Sequence, residues 1–363
     1  MKAHFNPVGL IAAVALLTAA GSLASATSHQ ATAVNGDFNG SQPSAVASHS
    51  DQQSTGTAIP SQGPPWKRLG VVLDLGNKGD ADDKNIESPV VLRQGDGTYV
   101  MWYRGQTYAD RIGRIMRATS PDGLKWTRTG VVMVPTTSYE GDKIDPMSII
   151  FEDGGYKMWY GAEGYGGCAC FATSPDGIHW TRYTGNPVLR KTSGNWDSEG
   201  AGGQHSVIKI GDKYYMYYKG YGKAAPGWTF YGLAESLDGT TWYKLGKAVC
   251  PDPALGETTT FRNLFAFKAG DYYCIMHTMA DYLNLYLCTS KDGKSWLKDG
   301  LFFSKGMTPG GADLKWATSP CIRVDGDAVK MWYEGGDLDG RVRTLYAETS
   351  LNSFLQASEG CVR

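Results

Sequence analysis

Short runs of alternating apolar and polar residues recur from about residue 66 to residue 354, separated by turn-forming Gly and Asp residues. The most regular run is aromatic and appears five times, as YVMWYRG, YKMWYGA, YYMYYKG, YYCIMHT and VKMWYEG. Each is preceded by a Gly/Asp turn and another apolar run, such as SPVVLR or DPMSIIF, and is followed by a third run. Runs of this length between turn signals predict β-strands.

The runs belong to one repeated unit. An Asp-Gly turn followed by Trp ends four copies, as TSPDGLKW, TSPDGIHW, ESLDGTTW and TSKDGKSW, and a shortened TSLNSF ends the fifth. These aromatic residues, counted from Trp66 to Phe354, are 60, 54, 62, 54 and 58 residues apart. Each copy therefore contains four strands, A to D, and the repeat predicts an all-β, five-bladed β-propeller with four-stranded blades. A β-sandwich would not require five copies of one unit.

The two ends of the repeat are complementary. WKRLGVVL at residues 66–73 matches WTRTGVVM at residues 126–133, so it is a D strand with no A, B or C strand before it. The last copy has strands A to C and no complete D strand. We therefore expect the N-terminal strand to complete the last blade and to close the ring, which would remove exposed sheet edges.

The segments before the repeat differ in composition. Residues 1–26 carry an apolar stretch and an Ala-Ser-Ala cleavage site, which predicts a signal peptide and a secreted or periplasmic protein. Residues 27–63 are mostly small and polar, which predicts a flexible linker before a propeller domain over 64–363. No later stretch has 18 consecutive apolar residues, so no membrane insertion is expected.

The charge of the chain bears on nucleic-acid binding, and its cysteine content bears on disulfide pairing. The formal net charge is -1, with 35 basic and 36 acidic residues and no basic run, so no nucleic-acid partner is expected. The oligomeric state stays open. Seven cysteines leave at least one thiol without an intrachain partner. Cys274 and Cys288 are expected on adjacent strands, where they could bridge, whereas Cys168 and Cys170 are expected on opposite faces; mostly free, buried thiols are the alternative.

The two ends of the predicted propeller have different roles. The Asp-Gly turns share one end, and their Asp residues are expected to be turn formers. The other end holds the starts of the A strands and the B–C loops, where polar residues such as Asp82 and Asp197 differ from copy to copy. A mixed-charge pocket is therefore expected there. Its candidate substrate-binding residues are Arg104, Glu163, Trp196, His205, Lys219, Trp228, Arg262, His277, Trp316 and Glu334.

The three tryptophans of that set lie outside the repeat. An indole can stack on the apolar face of a sugar, or it can anchor a loop, and both interpretations stay open. No cysteine spacing resembles a zinc site, and no metal or cofactor is expected, although a structural Ca²⁺ on the propeller axis stays open.

The YxMWY runs and the SxDGxxW tails resemble the five-bladed propeller glycosidases of glycoside hydrolase families 43, 32, 62, 117 and 130. The resemblance covers residues 66–354 and implies an acidic residue at the start of strand A in each of the first three blades. By this resemblance the catalytic residues are Glu87, Asp145 and Glu199. Asp145 stands in an Asp-Pro motif, Glu87 precedes the residue that aligns with the family's Asp, and Glu199 lies about five residues early.

Three functions are weighed: the resemblance implies the first two, and the displaced carboxylates of the first and third blades motivate the third. The first is an exported glycosidase, inverting rather than retaining, that acts on a glycan or oligosaccharide, furanosides included, through carboxylate acid/base catalysis. The second is a glycoside phosphorylase, in which cationic residues of the pocket would bind phosphate. The third is a carbohydrate-binding propeller without catalysis. The sequence specifies neither the sugar nor exo or endo action.

Overall fold

Strands make up most of the chain that the computed structural model describes, which comprises residues 63–251, 260–279 and 284–360. The predicted signal peptide and all but the last residue of the predicted linker lie outside the described residues. The twenty strands and one α-helix of the described part run in the order β1 (Lys67–Leu73), β2 (Asn85–Arg93), β3 (Tyr99–Gln106), β4 (Gly113–Ser120), β5 (Thr127–Met133), β6 (Ile144–Glu152), β7 (Gly155–Ala162), β8 (Cys168–Ser174), β9 (Thr181–Arg182), β10 (Gly200–Ile210), β11 (Lys213–Tyr221), β12 (Phe230–Ser236), β13 (Tyr243–Val249), β14 (Phe261–Ala269), β15 (Tyr272–Met279), β16 (Asn284–Ser290), β17 (Leu297–Ser304), β18 (Trp316–Asp325), β19 (Ala328–Gly336), β20 (Val342–Ser350) and α1 (Leu351–Gly360).

The strands pair as antiparallel sets. β2–β5, β6–β9, β10–β13 and β14–β17 each form a four-stranded antiparallel set, which we name sets 1 to 4. Set 5 contains β18, β19 and β20, and β1 pairs antiparallel with β20 as its fourth strand, with Lys67 opposite Glu348. The predicted A, B, C and D strands are the four strands of each set in this order. A nearly all-β fold built from antiparallel sets of four strands is thus confirmed. One parallel pairing, Asn85 with Val342, joins sets 1 and 5 into a single eight-stranded sheet.

The end of the chain differs from the sequence prediction. α1 follows β20 directly, where the repeat had indicated only a degenerate aromatic position. The hydroxyl of Ser350 accepts a hydrogen bond from the Ser353 amide at 3.0 Å, as an N-terminal cap of this helix does. Phe354 of α1 is fully buried, with Trp66 and Phe302 against it. The helix therefore places an aromatic ring where the repeat has one, but on another type of backbone.

The repeated Asp-Gly turns are scaffold. Asp122 Oδ1 accepts hydrogen bonds from the amides of Leu124 and Lys125 at 2.8 and 2.9 Å, and Gly123 adopts a positive φ of 79°. The corresponding bonds form at Asp176, Asp238 and Asp292. The prediction that these Asp residues form turns is confirmed.

Tryptophans of the B strands join neighbouring sets. The indole of Trp102 in set 1 donates to the Gly177 carbonyl of the set 2 turn at 2.8 Å. Trp159 in set 2 donates to Gly239 of set 3 at 2.7 Å. Trp332 in set 5 donates to the turn of set 1, at Gly123, at 2.7 Å. Because each bond is buried, it aligns one set against the next.

Buried acid–base clusters form a second repeated element of the scaffold. In set 1, the fully buried Asp82 accepts hydrogen bonds from the guanidinium of Arg128 and from the hydroxyl of Tyr103, each at 2.8 Å. Equivalent clusters join Glu140 to Arg182 and Tyr160, Asp197 to Lys244 and Tyr218, and Asp313 to Arg68 and Tyr333. The expectation that Asp82 and Asp197 contribute to a variable pocket is therefore wrong, because both belong to this repeated cluster.

Two of the cysteine predictions are also wrong. Cys168 and Cys170 lie on the same face of β8, since residues two apart in a strand share a face, and their Sγ atoms are 4.0 Å apart. Cys288 lies opposite Ile275, one position away from Cys274, so Cys274 and Cys288 point to opposite faces and cannot bridge. Cys168, Cys170 and Cys321 are buried free thiols, and Cys250 is an exposed one.

The A strands bring the five sets together. β2 contacts β6, β6 contacts β10, β10 contacts β14, β14 contacts β18, and β18 contacts β2. A cavity of about 300 Å³ between them is lined by residues of all five A strands, among them Val91, Ile149, Ile208, Ala266 and Ile322. The first residues of these strands therefore lie near one another, and the candidate site is found there.

Candidate active site

Every A strand carries an irregularity in its pairing with the B strand near its start. In β2 it lies between Glu87 and Val90, and the corresponding shifts occur in β6, β10, β14 and β18. Ser88 and Ser319 adopt positive φ values of 52° and 48° there, and a proline follows each. Such bulges change the direction of side chains. They give the polar residues at this end orientations that simple strand alternation does not predict.

The pairing register shows which positions correspond. Glu87 lies opposite Arg104 of β3, and Asp145 lies opposite Gly161 of β7; Arg104 and Gly161 both follow a Met-Trp-Tyr sequence. Glu87 and Asp145 are therefore equivalent positions of sets 1 and 2, and Ser88 is the bulged residue. The one-residue offset seen in the sequence is absorbed by the bulge.

Arg104 is the centre of the site. Its Nη1 lies 2.8 Å from the Asp145 carboxylate, and its Nη2 forms an ion pair with Glu87. The Ser88 hydroxyl also donates to Asp145, at 3.0 Å. The three charged side chains are between 10% and 16% exposed. One guanidinium thus holds carboxylates of two neighbouring sets together.

Glu334 of set 5 adds a third carboxyl group. It accepts a hydrogen bond from the Ser319 hydroxyl at 2.9 Å and one from the backbone amide of Ser88. Burial raises the pKa of Glu334; the Arg104 charge and these hydrogen bonds oppose that rise, and the Asp145 charge adds to it. A carboxyl group whose pKa is raised beside a paired carboxylate is the arrangement that acid/base catalysis uses.

Amides and an ammonium extend this network through sets 3 and 4. Lys219 Nζ donates to Gln204 Oε1 at 3.1 Å, and Gln204 in turn donates to Asn263. Asn263 Nδ2 donates to Ser319 Oγ at 2.6 Å, which leads to Glu334. All five sets therefore contribute to one hydrogen-bonded cluster. Sequence analysis did not predict Ser88, Asn263 or Ser319, although the Ser-Pro pair at the start of two A strands was a usable signal.

A cavity of about 360 Å³ opens beside this cluster. Its charged lining residues are Arg104, Asp145, Glu163 and Lys219, and Gln204, Tyr221, two alanines and three glycines complete the lining. Burial, together with the positive charge of Arg262, lowers the pKa of Lys219 to about 8. The size is that of a small-molecule site.

Some of the predicted site residues lie at the carboxylate cluster or line the cavity, and others lie away from both. Arg104, Lys219, His277 and Glu334 lie within B strands and not in B–C loops as expected, while Glu163 follows β7. The predicted catalytic residues Glu87 and Asp145 lie together. Glu199 is exposed and does not line the cavity, although its amide donates to Tyr221 of the lining at 3.1 Å.

The two histidines lie in the protein core. His205 is fully buried, its Nδ1 lies 2.7 Å from the Gly202 carbonyl, and burial lowers its pKa to about 4. His277 is surrounded by aromatic rings such as Phe261, and burial lowers its pKa to about 3. Both are neutral at pH 7, and neither lines the cavity. Arg262, at the start of β14, acts on the site through its charge near Lys219.

The three tryptophans outside the repeat are partly buried. Trp196 stacks on Tyr218 with ring centroids 5.8 Å apart, and Trp228 stacks on Phe230 at 6.2 Å. Trp316 covers Gly336, where an added Cβ would lie 2.2 Å from the indole. None of the three lines the cavity. Trp196 and Trp316 thus contact residues near the ends of B strands, and Trp228 contacts the first residue of a C strand.

Two further properties concern metals and membranes. In residues 63–251, 260–279 and 284–360, no group of three His, Cys, Asp or Glu side chains could hold a metal ion. No helix of that part combines the length and the apolar character that crossing a membrane requires.

Comparisons with known proteins identify a similar family, similar sequences and similar folds. The family model "Glycosyl hydrolases family 32 N-terminal domain" matches residues 81–200, the segment that includes Glu87, Arg104 and Asp145. Two relatives from Mycobacterium tuberculosis, Uncharacterized protein MT1551 (strain CDC 1551 / Oshkosh) and Uncharacterized protein Rv1502 (strain ATCC 25618 / H37Rv), are each 28% identical over 157 residues, 41% of this chain. The chain spans about half the length of these relatives, since the match covers 50% of each.

Solved structures share the fold. A structure named "Glycoside hydrolase" has a TM-score of 0.64 at 17% identity, and the match covers 79% of this protein and 92% of that one. A β-1,2-mannobiose phosphorylase from Listeria innocua has a TM-score of 0.63 at 14% identity, with 81% and 99% covered. A thermostable family-43 glycoside hydrolase has a TM-score of 0.58 at 16% identity, with 76% and 91% covered. The resemblance of this protein to the propeller glycosidases is therefore confirmed, without assignment to any one of their families.

Proposed function

We propose that this protein is a glycoside hydrolase whose active site is the carboxylate cluster around Arg104. The observation that carries the proposal is that Arg104 holds Glu87 and Asp145 beside the buried Glu334, next to a cavity of about 360 Å³. Hydrolysis of a glycosidic bond needs one carboxylic acid that gives a proton and one carboxylate that accepts one. This cluster offers both kinds of group.

We assign the roles by position. Asp145 lines the cavity and is held by Arg104, so it is the base that takes a proton from water as the water oxygen attacks the anomeric carbon. Glu334 does not itself line the cavity, but it is the carboxyl group of the cluster whose pKa burial raises, so we assign it as the acid that gives its proton to the leaving oxygen as the glycosidic bond breaks. Glu87 fixes Arg104 from the other side. In the inverting mechanism we favour, the two reacting carboxyl groups lie about 6.5–9.5 Å apart so that water fits between them.

The test is a hydrolysis screen of the purified protein on aryl glycosides, including furanosides, and on oligosaccharides. Asp145→Asn should lower kcat on the best substrate by about 10²–10⁴-fold, because the base is lost. Glu199→Gln is the matched control, since Glu199 is exposed and does not line the cavity. Full activity of Asp145→Asn would contradict the assignment, and saturable glycan binding without any product would favour a non-catalytic binding protein.

A glycoside phosphorylase is the second candidate. Lys219 and Arg104 both line the cavity and could approach a phosphate. The same screen, run with and without phosphate, distinguishes the hydrolase from the phosphorylase, because a phosphorylase releases a sugar 1-phosphate only when phosphate is present.

The scaffold that we propose for this site is a closed ring of five blades. The pairing of β1 with β20, the contact of β18 with β2 and the bond from Trp332 to Gly123 all support closure between sets 5 and 1. We also propose that the protein acts after export, which rests on the signal pattern of residues 1–26.

A further inference from the structure

Lys219 is the charged residue of the cavity that lacks a carboxylate partner within the described part of the chain. It stands at the end of β11, is half-buried, and its Nζ donates to the neutral side chain of Gln204 at 3.1 Å. Burying an ammonium group without an opposite charge is unfavourable. A ligand that carries a negative charge would offset that cost.

The other charges of the cavity are already paired. Arg104 is bound to Glu87 and Asp145, and Glu163 is bound to Lys143 at 3.1 Å. Lys219 therefore adds one positive charge that no carboxylate among the described residues compensates.

One positive charge in the cavity wall matches one negative charge of a ligand. Arg262 adds positive potential near Lys219 but does not line the cavity. Asp145 and Glu163 line the same cavity and would repel a dianion. The two histidines that could have helped to bind phosphate are neutral at pH 7 and lie in the core. A monoanionic carboxylate therefore fits this cavity better than a phosphate dianion.

We propose that Lys219 determines specificity by binding the carboxylate of an acidic sugar, so that the substrate is a glycan containing a uronic-acid type of residue. The proposal rests on the proposed function, because it takes the cavity as the glycan site. Gln204 orients the ammonium group, and the hydroxyl of Tyr221, which donates to the Gly166 carbonyl at 3.1 Å, helps to fix the wall beside it.

The test measures binding by calorimetry on the full mature protein. The probes are galacturonate and glucuronate oligosaccharides, the same oligosaccharides after reduction of their carboxyl groups to alcohols, and inorganic phosphate. We expect at least about tenfold tighter binding of one acidic series than of its neutral counterpart, since one charged contact is worth this much. Lys219→Met should remove that preference, and Lys219→Arg should keep most of it.

Lys143→Met is the matched control, because Lys143 is a lysine near the same cavity whose charge Glu163 already pairs. It should leave the preference unchanged. Thermal melting of the Lys219→Met variant without ligand should equal or exceed that of the wild type, since an uncompensated buried charge is removed. Equal binding of acidic and neutral series, an unaltered preference in Lys219→Met, or binding of phosphate alone would each overturn the proposal.

Failure of this inference can be told apart from failure of the proposed function. Turnover of neutral glycans without preference for acidic ones would overturn the specificity proposal alone. Tight, Lys219-dependent binding of an acidic glycan that is never cleaved or phosphorolysed would overturn the hydrolase assignment and keep the carboxylate subsite.

Discussion

Replacing Glu334 by glutamine tests the proposed proton donor. Glutamine has the same shape, and its oxygen can still accept the hydrogen bond that the Ser319 hydroxyl donates at 2.9 Å. Burial raises the pKa of Glu334, so the fold favours its protonated form, which glutamine imitates. The variant should therefore fold and melt at or above the wild-type temperature at pH 7. A loss of activity would then reflect the missing proton donor and not a loss of folded protein.

The expected loss depends on the leaving group. General acid catalysis contributes about 10²–10⁴-fold to a rate, or about 3–5 kcal/mol of barrier. Glu334→Gln should lose that much kcat on substrates whose alcohol leaving group needs a proton. On nitrophenyl glycosides, whose leaving group departs as a stable anion, the loss should stay below about tenfold.

The pH dependence gives a second measurement. A donor works only while protonated, so kcat/KM of the wild type should fall as the pH rises through the pKa of Glu334, which burial places above its usual value of about 4.3. Glutamine has no proton to lose, so this fall of kcat/KM at high pH, the alkaline limb of the profile, should be absent in the variant. An equal loss on both kinds of substrate, or an unchanged alkaline limb, would show that Glu334 only positions Arg104 and would refute the assignment.

The remaining predictions concern the ring and export. Trp332→Phe should lower the free energy of unfolding in urea by about 0.5–1.5 kcal/mol, because one buried hydrogen bond is lost while the Gly123 carbonyl keeps Trp126 as a second donor at 3.0 Å. Trp159→Phe removes the equivalent bond to Gly239 between consecutive sets, where Trp242 likewise remains as a second donor, so both variants should lose similar amounts if the ring is closed, and an unaffected Trp332→Phe would contradict closure. Secreted protein from a host that cleaves signal peptides should begin at Thr27, and a mature N-terminus at Met1 would contradict export.

The strands and turns were predictable because their signals are local. Trp126 and its equivalents follow an Asp-Gly pair, and an Asp at that position forms the same turn in each of the four copies that keep it. The helix α1 was not predictable in this way. The TSLNSF sequence resembles a shortened strand tail, and the helix is stabilised by the Ser350 cap and by the burial of Phe354 against Trp66 and Phe302.

The site was only partly predictable for a different reason. Asp145 and Arg104 were found because Asp145 begins an Asp-Pro motif and Arg104 follows a Met-Trp-Tyr sequence. The role of Glu87 depended on a bulge at Ser88, which no residue count reveals. Glu199 resembles an acid motif in sequence, yet it stands just before β10 on the surface. From the sequence, His205 and His277 resemble ligand-binding residues, but the packing of the sheets places both rings in the protein core.

One position of the repeat shows how an asymmetric site arises from a symmetric scaffold. The residue after the aromatic run of each B strand is, from set 1 to set 5, Arg104, Gly161, Lys219, His277 and Glu334. Gly161 has no side chain that could pair with Asp145 opposite it, and an added Cβ would lie 2.1 Å from the Gly203 carbonyl oxygen. Asp145 therefore pairs with Arg104 of the preceding set, and Arg104 also holds the Glu87 of its own set. A glycine at one of the five equivalent positions thus turns two separate acidic residues into one cluster.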